Sequence, residues 1–280
     1  MPKSVAYLGP RGTFSEMAAS YFFSHDFGPK PCRDFKESIE AVELGNVTFA
    51  VIPIENNIGG TVIQALDAMS ASSLYTLAEL EMPIEHCGLT NALSISMVRR
   101  VYGHPQALEQ CRHWIESNPK FEMVPASSNA QGAIDASQDP EGLAIASFQA
   151  GKIYGFVSCI RNIQDVKNNT TRFWLIGHKD QLYRKALSEV SGKTSIEITL
   201  NNQAGALWKV LEPIAKNGVQ MLHIESRPDR RGAWSYRFYI DMEGYATDYN
   251  VDQALRAIEG QVSSLRLLGS YPTFKLTSLR

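Results

Sequence analysis

The apolar residues of this chain keep two different rhythms, and the change between them falls in a charged, helix-breaking stretch from about Lys179 to Lys193. Upstream, short β-favouring runs alternate with segments whose apolar side chains recur every three or four residues, the pattern of strands and amphipathic helices in turn. Ser4 to Leu8 reads as a strand, Gly9-Pro10-Arg11-Gly12 as a turn, and Thr13 to Phe23 as a helix with Phe14, Ala18, Tyr21 and Phe22 on one face. Ile39 and Val42 mark a second helix. Phe49 to Ile54 is a second strand running into the turn-rich Glu55-Asn56-Asn57-Ile58-Gly59-Gly60, and another helix follows through Met69. The rhythm resumes with a strand near Thr76 to Leu80, a helix from Pro105 to Ser117, a strand at Phe121 to Val124, a helix from Ser127 to Ala136 and a strand at Leu143 to Ala146. The chain returns through Tyr154 to Asp165 to Asn168-Asn169-Thr170-Thr171-Arg172-Phe173-Trp174-Leu175-Ile176-Gly177, a polar loop feeding an apolar strand. This order predicts two α/β lobes joined by crossing strands, with a cleft between them.

Downstream the order changes. Thr194 to Leu200 reads as a strand, Leu207, Val210, Leu211 and Ile214 as one helical face, and Val219 to Ile224 and Trp234 to Ile240 as strands. Val251, Leu255 and Ile258 make a second helical face before a last strand at Leu265 to Tyr271. A β-α-β-β-α-β order predicts a ferredoxin-like unit, an antiparallel sheet with helices on one side that associates edge to edge. Such a unit is too small to hold a deep pocket alone. A ligand site is expected between two copies, with Gly205 letting backbone approach where the first strand gives way to its helix.

Composition narrows the function classes. A net charge of −2 over 280 residues leaves no electrostatic case for nucleic acid or an anionic membrane surface, and 44% hydrophobic residues suffice for a packed core. The start, Met1-Pro2-Lys3-Ser4-Val5, has no apolar h-region and no later window approaches a membrane span, so a cytoplasmic protein is expected. Cys32, Cys87, Cys111 and Cys159 lie far apart without a CxxC pair and are expected to be reduced and buried. His25, His86, His104, His113, His178 and His223 show no HxxxH spacing, and no acidic cluster looks like a cation cage. A metal or other cofactor is not expected.

Chemistry-bearing residues gather after the predicted strands, as they do in α/β folds. In Gly9-Pro10-Arg11-Gly12-Thr13-Phe14-Ser15-Glu16, glycines free the backbone and hydroxyl residues open a helix, a geometry that receives a carboxylate or phosphate. Thr13 as a plain helix cap is the alternative. Glu55-Asn56-Asn57 and Ser147-Phe148-Gln149 stand in like positions. Thr171 and Arg172 put a hydroxyl and a guanidinium at the cleft's edge, unless the run is an ordinary turn capped by Asn and Thr.

Five ordered motifs carry a resemblance. Gly9-Pro10-Arg11-Gly12-Thr13-Phe14-Ser15, Pro53-Ile54-Glu55-Asn56, His104-Pro105-Gln106-Ala107-Leu108, Ala146-Ser147 and above all Thr171-Arg172-Phe173 resemble the prephenate dehydratase family. Gly205-Ala206-Leu207-Trp208 and Glu225-Ser226-Arg227-Pro228 resemble the two phenylalanine-binding motifs of that family's regulatory ACT domain. The resemblance implies a catalytic region over 1–180, similar to type II periplasmic binding proteins, with one lobe from 1–76 plus 155–180 and the other from 77–154. A linker at 181–192 and an ACT domain at 193–280 would follow, in a homodimer or homotetramer of the monofunctional form.

The implied reaction turns prephenate into phenylpyruvate, water and carbon dioxide, with no cofactor or covalent intermediate. By the same resemblance Thr171 would donate a proton to the departing hydroxyl, which a threonine can do only if preorganised in a dry site. Arg172, Thr13 and Ser15 would hold the pyruvyl carboxylate. Asn56, Gln106 and Ser147 would orient the ring, with Phe14 and Phe173 either walling the pocket or packing in the core. Asn202, Gly205, Ala206, Leu207, Glu225 and Ser226 would receive L-phenylalanine as effector. Asn56-Asn57-Ile58-Gly59-Gly60 departs from the family's Asn-Ser-x-Glu-Gly run by losing a serine and an acid, Trp208 replaces a smaller aliphatic residue, and Ala204 stands where proline is common. Arogenate, which carries an amino group in place of the keto oxygen, is an alternative substrate. A non-catalytic sensor of amino acids or carboxylates is the alternative class.

Overall fold

The computed structural model describes residues 3–23, 26–181, 191–200, 203–229 and 235–277. They fall into two compact units, the first taking the chain up to Ala68, Leu80–Leu175 and the segment from Lys275, the second Met69–Glu79 and Ile176–Phe274.

The first unit begins with β1 (Lys3–Leu8), α1 (Phe14–Phe23), β2 (Phe27–Cys32), α2 (Phe35–Glu43), β3 (Phe49–Asn56), β4 (Gly60–Thr61), α3 (Ile63–Ser70) and the latter half of β5 (Tyr75–Pro83). It continues with β6 (Cys87–Thr90), β7 (Arg100–Gly103), α4 (Pro105–Gln110), α5 (Arg112–Glu116), β8 (Glu122–Pro125), α6 (Asn129–Ser137), β9 (Gly142–Ala146), α7 (Phe148–Ile153), β10 (Ser158–Ile160) and most of β11 (Thr170–Gly177). Two sheets result. One runs β5-β11-β3-β1-β2, with β4 on β3, and the other β10-β6-β9-β7-β8. β1 is parallel to both β2 and β3, and β7 to both β8 and β9.

Covered on both faces, the central strands read as continuous apolar runs. Val5, Ala6 and Tyr7 of β1 and Ala50, Val51 and Ile52 of β3 are all fully buried. The second sheet packs Val101, Leu143 and Ile145 against Leu108 and Ile115 of its helices. Two α/β lobes were expected from the sequence, but their bounds differ: Leu80–Pro83 of β5, expected in the second lobe, pairs with β11 in the first sheet, and β10, expected in the first lobe, pairs with β6 in the second.

Four differences from the sequence reading have local causes. β2 was not expected because Pro29 and Pro31 interrupt it, but it is an edge strand, where a missing amide hydrogen costs no ladder bond. The helix expected from Pro105 to Ser117 divides at Cys111, whose φ of −116° and ψ of 19° lie off the helical basin. Short β6, β7, β10 and α7 escaped the periodicity argument. Cys32, Cys87 and Cys111 are buried and free, whereas Cys159 is free but exposed, because β10 is the outer strand of its sheet.

The second unit contains β12 (Gly192–Leu200), α8 (Ala206–Lys216), β13 (Met221–Asp229), β14 (Ser235–Glu243), α9 (Tyr249–Glu259) and β15 (Ser264–Lys275) up to Phe274. Its sheet runs β13-β14-β12-β15, every pair antiparallel, and Tyr75–Glu79 of β5 extends it beyond β15. This is the ferredoxin-like order. Ile196, Ile198, Ile240 and Met242 on the sheet meet Val210 and Ile214 of α8 and Ile258 of α9. Most of the expected linker, residues 182–190, lies outside the described residues, as does Trp234 at the expected start of β14.

A polar cluster is buried in this unit. The Lys193 ammonium is ion-paired to the fully buried Glu79 carboxylate, and the Ser195 hydroxyl lies 2.5 Å from Asp241 Oδ1 and 2.7 Å from the Tyr271 hydroxyl. Removing one member of a buried pair strands the other's charge. Lys193→Met is therefore expected to cost about 3–5 kcal/mol in urea unfolding, and adding Glu79→Leu to restore most of it. A Lys193→Met protein as stable as the parent would contradict the pairing.

Candidate active site

Between the two sheets of the first unit lies a cavity of about 470 Å³, walled by Leu8, Phe14, Phe35, Pro53, Val62, Ile84 and Phe173. Its polar lining comes from residues at the ends of strands and the starts of helices.

After β1 the chain turns at Gly12, which has φ of +84°, and a Cβ there would lie 2.9 Å from Ala150 Cα. Glycine lets the turn lie against α7 of the other lobe. Ser147, the N-cap of α7, donates its hydroxyl to Gly12 O at 2.6 Å and accepts from Ala150 N at 3.0 Å. The Tyr154 hydroxyl donates to Arg11 O at 2.8 Å. Thr13-Phe14-Ser15-Glu16 opens α1 as a variant of the capping box. The Thr13 hydroxyl donates to Leu8 O at 3.0 Å and accepts from Glu16 N at 3.3 Å, while the Glu16 carboxylate accepts from Gly12 N at 2.5 Å. Thr13 and Ser147 thus line the cavity with hydroxyls already engaged by the chain. Ser15, nearly buried, offers its side chain to the same cavity.

β3 ends at Asn56, from which the bonding fans out. Its Oδ1 accepts from Ile58 N at 3.1 Å and Gly59 N at 2.8 Å. Its Nδ2 lies 2.6 Å from Asn169 Oδ1 and 2.9 Å from Thr171 Oγ1. Asn57 holds the start of β11 from the same loop, its side chain accepting from Thr170 N at 2.9 Å and donating to Asn168 O at 2.6 Å. Gly59 packs on the Gln106 amide so tightly that any added Cβ would overlap Gln106 Nε2.

Successive residues of a strand face opposite ways. On β11, Thr171 and Phe173 face the cavity, and Arg172 between them does not line it. The Arg172 guanidinium instead lies 2.6 Å from Glu55 Oε2. Of the residues expected around a substrate, the fold brings Thr13, Ser15, Asn56, Gln106, Ser147 and Thr171 together and turns Arg172 away.

Several lining residues were not singled out from the sequence: Gln64, His86, His104, Gln110, Asn129 and Asn169. His104 caps α4, its Nδ1 accepting from Gln106 N at 3.3 Å, and its position just before Pro105 could have signalled that. Asn169 was visible inside the polar run before β11. Gln110 Oε1 lies 3.2 Å from Asn169 Nδ2 and 2.9 Å from His86 Nε2, a convergence no sequence spacing announces. Burial lowers the His86 pKa below its ordinary value, so the imidazole is neutral at pH 7.

Among the described residues no Lys, Arg, Asp or Glu lines the cavity. Positive potential comes from partial charges, namely hydroxyls, side-chain amides and the amino ends of α1 and α6. No cluster of three His, Cys, Asp or Glu placed to hold a metal occurs among the described residues, nor any helix long and apolar enough to cross a membrane.

In the second unit Gly205 has φ of +78° just before α8, with open space where a Cβ would be, and Ala206 begins the helix. Leu207 packs partly on the core, and Trp208 is 60% exposed. Glu225 and Ser226 lie on β13, the edge strand. Asn202 lies outside the described residues.

Comparison with known proteins adds two family matches: prephenate dehydratase over residues 5–181 and the ACT domain over residues 194–260. A bifunctional chorismate mutase/prephenate dehydratase of Aquifex aeolicus is 37% identical over 269 residues, spanning 96% of this chain and 73% of that protein. Among solved structures, the prephenate dehydratase of Arthrobacter aurescens in complex with L-Phe has a TM-score of 0.87 at 31% identity, covering 96% of this chain and 89% of that one. GqqA, described as a novel type of quorum quenching acylase, also has a TM-score of 0.87, at 26% identity, covering 97% of this chain and 98% of that one.

The contact at Gly59 yields a test. Gly59→Ala is expected to leave stability within about 0.5 kcal/mol, since Gly59 is exposed and the side chain it meets can swing away. Displacing Gln106 should then lower turnover about tenfold. Parental turnover would remove Gln106 from the chemistry of the cavity.

Proposed function

The chain belongs to the prephenate dehydratase family, and on that premise we propose that the cavity carries out the decarboxylative dehydration of prephenate with Thr171 as proton donor. The protein is a carbon-oxygen lyase of phenylalanine biosynthesis. The bond from the ring to its carboxylate breaks, and its electron pair enters the ring as the carboxylate leaves as carbon dioxide. On the opposite carbon the C–O bond breaks, the hydroxyl takes up the Thr171 proton and departs as water, and the threonine oxygen regains a proton from solvent as the products leave. Aromaticity drives both cleavages. The protein's task is to deliver that proton and to hold the substrate without opposing the loss of charge at the departing carboxylate.

One observation carries the assignment of Thr171. Asn56 Nδ2 lies 2.9 Å from Thr171 Oγ1, so the threonine oxygen accepts there and its own hydrogen is left to point elsewhere, toward the cavity its side chain lines. Held in a largely water-excluded wall, the hydroxyl meets the leaving oxygen already oriented. Ser15 and the first-turn amides of α1 suit the pyruvyl carboxylate, with Thr13 and Ser147 fixing the loop that presents them and Asn56 and Gln106 flanking the ring. Arg172, paired with Glu55, acts from behind Thr171 rather than on the substrate. The missing cation fits the chemistry. A guanidinium on the leaving carboxylate would favour its ground-state charge over the neutral product. An acylase of the nucleophile-base-acid kind is disfavoured, since neither histidine of the cavity is bonded to a carboxylate among the described residues: His86 Nε2 meets Gln110, and His104 Nδ1 meets Gln106 N.

In this proposal the catalytic domain spans 1–180, with one lobe built on the sheet β5-β11-β3-β1-β2 and the other on β10-β6-β9-β7-β8, followed by a linker at 181–192 and the ACT domain at 193–280. The family matches at 5–181 and 194–260 support that partition. L-phenylalanine inhibits by binding between ACT domains at Asn202, Gly205, Ala206, Leu207, Glu225 and Ser226, in a cytoplasmic homodimer or homotetramer. A coupling of about 1–3 kcal/mol suffices.

Thr171→Val is expected to keep the fold and slow phenylpyruvate formation by roughly a hundred- to ten-thousand-fold, the range for a positioned proton donor. Near-parental turnover would remove Thr171 from the mechanism. Phenylalanine is expected to lower the rate at subsaturating prephenate and to change the sedimentation of the oligomer. Insensitivity at millimolar-scale effector would leave the ACT domain a purely structural part, and parallel rates with prephenate and arogenate rank the two substrates.

A further inference from the structure

The amide chain in the cavity wall has a fixed sense. Asn56 Oδ1 is held by two backbone donors, Ile58 N and Gly59 N, so its amide group cannot reverse, and Nδ2 must face Asn169. Asn169 therefore turns Oδ1 to Asn56 and Nδ2 to Gln110, and Gln110 turns Oε1 to both Asn169 and His86. His86 Nε2 faces a carbonyl oxygen and must carry the hydrogen. In a neutral imidazole the other nitrogen then has a bare lone pair. That atom, His86 Nδ1, is buried and has no hydrogen-bond partner among the described residues, on a side chain that lines the cavity.

The imidazole cannot readily turn to find a partner. His86 N donates to Gln164 Oε1 at 3.0 Å, His86 O accepts from Ile163 N at 3.2 Å, and the Phe14 ring stands edge-on at a centroid distance of 5.8 Å. A buried acceptor left unpaired is costly, and on a side chain that lines a binding cavity a donor brought by a ligand is the group that would relieve it. Prephenate at neutral pH has a single hydrogen-bond donor, its ring hydroxyl, since both carboxylates and the ketone only accept.

We propose that His86 Nδ1 accepts the hydrogen of the substrate's ring hydroxyl while Thr171 donates to the same oxygen. This rests on the reaction proposed above and makes His86 a residue that selects for the hydroxyl-bearing ring. With both sides of the oxygen engaged, its remaining lone pair and the C–O bond are fixed in direction, and the water formed leaves from a site that already matches two of its bonds. Burial, which keeps the imidazole neutral, preserves the lone pair at pH 7.

Two substitutions separate the nitrogens, because a glutamine amide reaches the place of Nε2 and an asparagine amide that of Nδ1. His86→Gln keeps the link to Gln110 and is expected to lose tenfold or more in kcat/KM for prephenate, while its inhibition constant for an analogue with hydrogen in place of the ring hydroxyl stays parental. His86→Asn supplies an acceptor at the Nδ1 place and is expected to retain more of kcat/KM than His86→Gln. Imidazole ¹⁵N NMR of the parent protein is expected to show a neutral ring protonated at Nε2, with the Nδ1 signal moving when prephenate or a stable hydroxyl-bearing analogue binds. The opposite ranking of the two variants, equal weakening of the analogue that lacks the hydroxyl, or a ring protonated at Nδ1 would each overturn the assignment. A parent protein that forms no phenylpyruvate would instead overturn the reaction, and the NMR result would still stand or fall by itself.

Discussion

Two backbone hydrogen bonds, from Ile58 and Gly59 to the side-chain oxygen of Asn56, set the sense of the amide chain that runs along one side of the cavity wall. Backbone donors cannot reverse, whereas a side-chain amide can, so the bonds at Asn56 are where an ambiguous chain of amides becomes a directed one. From there the direction passes to Thr171 on one branch and through Asn169 and Gln110 to His86 on the other. Such a network is informative only when each member is satisfied. Here every link from Asn56 to His86 Nε2 is made, and the one position left open is Nδ1 of His86, whose side chain lines the cavity.

The loop that supplies those donors is also where this chain departs from the family's usual run. Asn57 replaces the lost serine with a side chain that reaches across to Asn168 and Thr170, and Gly59 leaves room for Gln106. In this chain, then, the start of β11 is held by the amide group of Asn57. On the far side, Ser147 and Tyr154 fasten the second lobe to the Gly9 to Gly12 turn through carbonyls of Gly12 and Arg11. The second lobe thus grips a loop of the first by groups that carry no net charge, and no Lys, Arg, Asp or Glu among the described residues lines the cavity between them. That neutrality lets two carboxylates enter while leaving one of them free to lose its charge as carbon dioxide.

Periodicity was enough to read β1, α1, β3, β9 and β11 and the order of the second unit, because continuous apolar runs and three-to-four spacing are direct records of burial. It failed at β2, where Pro29 and Pro31 are tolerated only because the strand is at an edge, and at Cys111, where tertiary packing divides one amphipathic pattern into two helices. The candidate residues were legible where they end or follow a predicted strand, as Ser15, Asn56 and Ser147 do, or open one, as Thr171 does, whereas Gln106, after the unread β7, came from the resemblance alone. Arg172 was read as a ligand from its adjacency to Thr171, but adjacency in a strand means opposite faces. His86 and Gln110 come together only through the tertiary fold, and nothing in the spacing of two ordinary polar residues marks them.

The second unit divides rigidity from contact in a way that bears on its proposed role. Its interior holds an ion pair and a hydroxyl-carboxylate cluster whose buried groups specify one packing of β5, β12, β14 and β15 at the cost of desolvating charge. The residues resembling effector motifs lie elsewhere, on the turn before α8 and on β13, the strand with one paired side, and Trp208 presents an indole largely to solvent. A ligand that closes an edge must find that edge already shaped, because ordering it on binding would consume affinity. The buried cluster fixes β12, β14 and β15 from within, and β13 is laddered to β14, so on the reading proposed above an amino acid at that edge would meet a sheet already packed and would not have to fold it.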